Sequence, residues 1–158
     1  MSPETALVVA LLSPLVAALL AFVAGKSPNV REGLSLAMGA VTLGAVIVIA
    51  RAVWAGEVVA LDVLQPVEGL RIAFRVEPLG LLFALVASAL WPVTTLYALG
   101  YMRGHHEKNQ TRFFCFFAIS ISAVLALAFS ANLATLFDCY EANTLGTNPL
   151  VTHAHDRT

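Results

Sequence analysis

Two carboxylic acids, Asp138 and Glu141, stand in the middle of an otherwise apolar stretch, residues 129–153. Side chains three positions apart lie on the same side of an α-helix, so the two carboxyl groups would be neighbours there. A carboxylate at membrane depth is costly and normally faces protein or trapped water, with a partner. Desolvation and a second nearby acid both favour the protonated form. The pair therefore predicts an intramembrane proton site, with Glu141 as its main group and Asp138 titrating beside it.

The partner of this acid pair is not evident in the sequence. The remaining apolar stretches contain no deeply placed Lys or Arg, and Arg51, near one end of the second stretch, is the nearest candidate. On the same predicted helix side as the two acids lie Thr144, Leu145 and Asn148. We expect this helix to belong to an ion pathway whose other half lies outside this sequence.

The composition is that of a membrane protein. Of the 158 residues, 59% are hydrophobic and 12% are charged, whereas soluble domains average about 45–50% and about 25%. The mean hydropathy is +0.82, and several apolar runs approach the length that crosses a bilayer. The net charge of −1, without a basic patch, argues against nucleic acid as a partner. We expect an integral, multi-pass membrane protein, with lipid as a partner.

The apolar runs predict an all-α transmembrane bundle of four or five spanning helices. The predicted spans cover residues 5–24, 33–54, 78–100 and 113–131, and a more polar fifth helix follows Asn132 to about Leu150. Three parts follow from this: an N-terminal helix hairpin (1–54), an extramembrane connection (55–77), and the third to fifth helices (78–158). The alternation of apolar and polar residues in the connection favours a β-hairpin or an extended loop.

Charge in the connections predicts the orientation. The connections after the first and third spans hold most of the cations, namely Lys26, Arg31, Arg103, Lys108 and Arg112. Cytoplasmic loops are rich in Lys and Arg, so we expect these connections inside and the N-terminus external. A stripe of small residues along the second span, Gly33, Ala37, Ala40 and Gly44, predicts close approach of another helix.

Other candidate ligands are weaker. His105, His106, His153 and His155 would share one membrane side, where we expect solvated imidazoles rather than a metal site, or groups that collect protons. Cys115 and Cys139 fit small buried hydrophobic residues. The sequence has no glycine-rich phosphate loop, Ser–His–Asp set or metal-ligand run. We therefore expect no metal or cofactor in this chain, and no enzyme activity by the chain alone.

Two segments carry a family resemblance: FRVEPLGLLFALVASALWPVTTLYALGYM and HHEKNQTRFFCFFAISISAVLALAFSANLATLFDCYE. In order, they contain an acid before the third span (Glu77), a GYM end to it, an aromatic entry to the next span, and a SANL-to-YE run. Together they resemble the N-terminal part of the antiporter-like membrane subunits. That family joins the proton-pumping subunits of respiratory complex I, the Mrp-type multisubunit Na⁺/H⁺ antiporters and related membrane-bound hydrogenase subunits.

The resemblance implies a subunit that translocates protons or Na⁺/H⁺, truncated relative to the family, with residues 78–158 as the start of its proton-translocating core. It also implies the cell inner (plasma) membrane as its location and other membrane subunits of a multisubunit complex as partners. Glu141 matches the family's YE acid, which pairs with a lysine two helices later. Redox chemistry would belong to partner subunits, as in NADH:quinone oxidoreductase. Asp138, Asn143 and Asn148 stand where the family is mostly apolar. These departures keep two alternatives open: a non-conducting structural or assembly subunit, and a decayed gene fragment.

Overall fold

The computed structural model describes residues 2–106, 109–131 and 133–155, and shows a helical bundle with one small β-hairpin. The elements in chain order are α1 (Pro3–Val23), α2 (Pro28–Trp54), β1 (Ala60–Val67), β2 (Leu70–Arg75), α3 (Pro78–Gly104), α4 (Gln110–Ala128) and α5 (Leu133–His155). In the described part of the chain, α1 to α4 are long and apolar enough to cross a membrane. The predicted all-α transmembrane bundle is confirmed.

Prolines mark the starts of three helices. Pro3, Pro28 and Pro78 stand in the first turn of α1, α2 and α3, where a fixed φ and a missing N–H are no disadvantage. The prediction placed the start of the second helix at residue 33, whereas α2 begins at Pro28 and includes a charged first turn. The third helix likewise continues past residue 100 to Gly104.

The connection between α2 and α3 forms a β-hairpin, the first of the two alternatives that its alternation favoured. β1 and β2 pair antiparallel, from Ala60 opposite Arg75 to Val67 opposite Leu70. β2 also hydrogen-bonds to the segment between α4 and α5. The N–H of Arg75 donates to the carbonyl of Phe129 (2.7 Å), and the N–H of Ala131 donates to the carbonyl of Ala73 (2.9 Å). The hairpin therefore holds the chain just before α5 begins.

The core consists of three clusters along the bundle. At the hairpin end, residues such as Leu7, Val59 and Phe129 are fully buried together. The middle cluster centres on Trp91, and the cluster at the far end on Phe114. α1 packs against α2 and α4, α2 packs against α3, and α4 packs against α5.

Polar side chains tie the helices together inside this core. The hydroxyl groups of Ser13 and Thr42 are 2.5 Å apart between α1 and α2, and Ser122 of α4 donates to the carbonyl of Leu11 (2.8 Å). Such bonds matter in a membrane, because lipid is as apolar as a leucine side chain and supplies little hydrophobic drive. The predicted small-residue stripe of α2 takes no part in this packing, since all four of its residues are exposed.

Candidate functional site

The first turn of α5 is fixed by one buried hydroxyl group. Thr135 is fully buried. Its Oγ1 accepts a hydrogen bond from the N–H of Ala73 (3.1 Å) and donates to the carbonyl of Arg71 (3.2 Å). Both partners belong to β2, so the hairpin sets where α5 starts and which of its sides faces the bundle.

A narrow polar stripe of α5 packs inward. Thr135, Cys139, Asn143 and Thr147 recur every four residues, and each is buried or half-buried. The hydroxyl of Thr147 donates to the carbonyl of Asn143 (2.9 Å). The Asn143 side-chain oxygen is buried and has no hydrogen-bond partner among the described residues. The inward side of α5 is thus unusually polar for a helix that packs on its neighbours.

Asp138 and Glu141 lie on the opposite, exposed side of α5, together with Thr144, Leu145 and Asn148, as the helical spacing predicted. We call this surface the carboxylate face. Large apolar side chains are exposed on α5 as well, among them Leu136, Phe137, Tyr140 and Leu145. The two acids therefore stand one helical turn apart on an exposed surface that combines polar and apolar residues.

Neither acid is paired within the described residues, whose salt bridges join Glu32 to Arg31 and Arg103 instead. Arg51, the candidate partner from the sequence, is exposed in the last turn of α2 and forms no salt bridge with either acid. Across residues 2–106, 109–131 and 133–155, the carboxylate face thus lacks the cation that a charged carboxylate at membrane depth requires.

The other predicted ligands do not converge. The His105 ring stacks on Tyr101, with ring centroids 4.4 Å apart. Cys115 Sγ donates to the carbonyl of Ala18 (3.3 Å), and both cysteines are free and half-buried. The side chains of His153 and His155 lie outside the described residues. In the part of the chain that the structure describes, no three His, Cys, Asp or Glu side chains are placed to hold a metal ion.

A second charged group, which sequence reasoning missed, lies at the bundle end away from the hairpin. Arg31 and Glu32 are 3% and 4% exposed. Arg103 contacts both carboxylate oxygens of Glu32, with Nε 3.3 Å from Oε1, and Arg31 lies 3.4 Å from Oε1. We call these three residues the arginine–glutamate cluster.

Arg31 also reaches the start of α4. It donates to the side-chain oxygens of Gln110 (3.0 Å) and Thr111 (2.9 Å). The cluster therefore joins α2, α3 and α4. The sequence analysis assigned Arg31 and Arg103 to loops, although Ser27 followed by Pro28 is a helix-start signal that would have placed Arg31 and Glu32 inside a helix.

Comparison with known proteins places the chain in context. No protein-family profile matches it. It is 32% identical over 72 residues to NAD(P)H-quinone oxidoreductase subunit 5, organellar chromatophore 1, of Paulinella chromatophora, a match covering 46% of this chain and 10% of that protein. Its fold matches a chain of the membrane-bound sulfane sulfur reductase (MBS), an archaeal respiratory membrane complex, with a TM-score of 0.72 and 19% identity.

The structural match covers 88% of this chain and 21% of the archaeal one, so this chain spans a small part of the length of either relative. At such low identity the structural likeness shows a shared fold. The sequence match adds a relative among NAD(P)H-quinone oxidoreductase subunits. Motifs, sequence match and fold agree, and the chain resembles the antiporter-like membrane subunits of respiratory complexes.

Proposed function

We propose that this chain is part of an ion-translocating membrane subunit, similar to a proton-pumping subunit of NADH:quinone oxidoreductase or to a subunit of a Mrp-type antiporter. Glu141 is its intramembrane proton site, and Asp138 modulates it. The observation that carries the proposal is the carboxylate face: two acids one turn apart on an exposed side of α5, with large apolar side chains exposed on the same helix. Other membrane subunits of a multisubunit complex would be its partners, and H⁺ or Na⁺ its transported ion.

The physical basis is a charge that depends on its neighbours. In an apolar environment, a carboxylate without a partner is costly and takes up a proton. A cation brought to the carboxylate face would stabilise the charged form and release that proton. Glu141 therefore loads and unloads according to what lies against α5. Asp138, one helical turn away, would disfavour a second negative charge beside it.

The test is proton translocation by the native membrane complex that contains the chain, with Glu141→Gln. The amide keeps the size of the side chain and removes its proton exchange, so we expect translocation to fall by about 10²-fold or more. Glu57→Gln is the matched control, because Glu57 is an exposed acid in the connection before β1. Unchanged translocation in Glu141→Gln would contradict the proposal.

A structural or assembly role is the second candidate. It is favoured by the lack of a salt bridge to Asp138 or Glu141 among the described residues. Proton flux into liposomes that contain only this chain distinguishes the two roles. A proton flux that disappears with Glu141→Ala would exclude a purely structural role, whereas no flux by the unmodified chain agrees with it.

The outer surface of α3 fits a subunit that is surrounded by other membrane components. Its exposed large apolar side chains recur along the whole helix and include Leu79, Leu82, Phe83, Val86, Leu90 and Val93. An apolar surface of this length is suited to lipid or to neighbouring transmembrane helices. It agrees with the proposed place of the chain in a membrane complex.

A further inference from the structure

An open cavity lies beside the arginine–glutamate cluster, outside the proposed proton site. It has a volume of about 400 Å³ and is lined by Pro28, Asn29, Arg103, His106 and Gln110. These residues come from the start of α2, the end of α3 with the residues after it, and the start of α4. The cavity thus opens where three helices that are able to cross a membrane end together.

The cluster has more positive than negative charge. Two guanidinium groups, those of Arg31 and Arg103, share the single carboxylate of Glu32. Arg31 is enclosed, whereas 54% of the Arg103 side chain is exposed, so Arg103 can take a second anionic partner. A partly buried positive charge without an anionic partner is costly. Glu107 and Lys108, which lie outside the described residues, are opposite in sign and do not change the excess.

The cavity also offers neutral hydrogen-bond donors around this charge. Arg103 donates to the side-chain oxygen of Asn29 (2.6 Å), which leaves the amide NH₂ group of Asn29 for another acceptor. The His106 ring is exposed at the cavity wall. A guanidinium flanked by N–H donors suits a phosphate group, whose oxygens accept several charge-assisted hydrogen bonds.

The position of the cavity favours the phosphate of a lipid headgroup over a soluble phosphate. The ends of membrane-spanning helices lie at the level of the lipid headgroups, and basic pockets there bind anionic headgroups. Two exposed aromatic residues, Tyr97 and Tyr101, precede the cavity on α3, as is usual at a membrane interface. Lys26 and Arg112 are exposed at the same bundle end. We infer that this cavity binds the headgroup of an anionic phospholipid, with Arg103 on the phosphate and Asn29 and His106 beside it.

The experiment is native mass spectrometry of the full chain in detergent, titrated with phosphatidylglycerol or with phosphatidylcholine of the same acyl chains. We expect selective retention of phosphatidylglycerol. Arg103→Gln should weaken this retention about tenfold, as expected for the loss of a charged hydrogen-bond partner. Lys26→Gln removes one exposed cation at the same end of the bundle and should leave retention unchanged.

Glu32→Gln is a control that distinguishes loss of lipid binding from loss of folding. It removes the carboxylate that competes for Arg103, so phosphatidylglycerol should bind more tightly, a gain that an unfolded chain would not show. Equal retention of the two lipids, equal losses in Lys26→Gln and Arg103→Gln, or no gain in a Glu32→Gln chain whose circular dichroism matches that of the unmodified chain would each overturn the inference. Displacement of the lipid by inorganic phosphate at equal concentration would also overturn it, in favour of a soluble anion.

Discussion

Gly80 lies where the first turn of α3 meets the last residue of α4, and replacing it with alanine should force the two helices apart. A Cβ atom at this position would stand 2.1 Å from the carbonyl oxygen of Ala128 and 3.2 Å from its carbonyl carbon. Ordinary contact begins at 3.4 Å, so the two backbones must separate by about 1 Å in a closely packed interior. No side-chain rotation relieves this contact, because the obstructing atoms belong to the backbone.

The expected cost follows from two opposing terms. Overpacking a well-packed interior costs about 1–3 kcal/mol. Alanine gains about 0.5–1 kcal/mol over glycine in a helix. Because the Gly80 clash is with backbone, we expect a net destabilisation of about 1–2 kcal/mol. Gly100→Ala in the same helix is the matched control, since nothing lies within 4 Å of its Cβ position. It should be neutral or stabilise by up to about 1 kcal/mol.

The two substitutions therefore have opposite predicted signs. The measurement is reversible unfolding of each variant in mixed detergent micelles, followed by circular dichroism under identical conditions. Ala128 directly precedes Phe129, whose carbonyl is held by Arg75. Gly80→Ala should therefore also speed amide hydrogen exchange at Arg75. If Gly80→Ala proves as stable as Gly100→Ala, the close approach of α3 and α4 is wrong.

Two further substitutions test how α5 is held. Thr135→Val removes the hydroxyl that hydrogen-bonds to the backbone of Ala73 and Arg71. It should lower the free energy of unfolding by about 1–3 kcal/mol and speed hydrogen exchange at the Ala73 amide. Thr135→Ser keeps the hydroxyl and should do neither. Asn143→Leu removes the buried, unpartnered side-chain oxygen. It should raise the free energy of unfolding by about 1–2 kcal/mol in the same assay. A lower free energy of unfolding in this variant would contradict the absence of a partner for this oxygen.

The spanning helices could be predicted because each is a long apolar run, and the hairpin because its residues alternate. The start of α2 could not be found from hydropathy, since its first turns contain Asn29, Arg31 and Glu32. These charges are tolerated because Glu32 meets Arg103, 71 residues further along the chain. A sequence pattern gives no sign of contacts between residues so far apart, so the cavity beside them was also missed.

The carboxylate face was predictable in part. The helical period places Asp138 and Glu141 on one side, but it does not say which side packs. In water the apolar side would be buried, but lipid accepts apolar side chains as readily as a protein core does. Here the stripe from Thr135 to Thr147 faces inward, because β2 captures the Thr135 hydroxyl. The hairpin thus sets which side of α5 faces the bundle, and the hydropathy of the sequence does not indicate this contact.

This arrangement couples the position of α5 to the charge of its acids. An ionised acid costs up to about 2.5–3.5 kcal/mol on insertion scales when it lies at the centre of a membrane helix. The bonds that hold the start of α5 to β2 contribute about 0.5–1.5 kcal/mol each, which is too little to keep two unpaired charges at that depth. If α5 crosses the membrane as the proposed function requires, a cation must therefore lie against the carboxylate face whenever its acids are charged. Whatever supplies that cation stabilises the charge of Glu141 and the place of α5 together, and this link is what the proposed proton site requires.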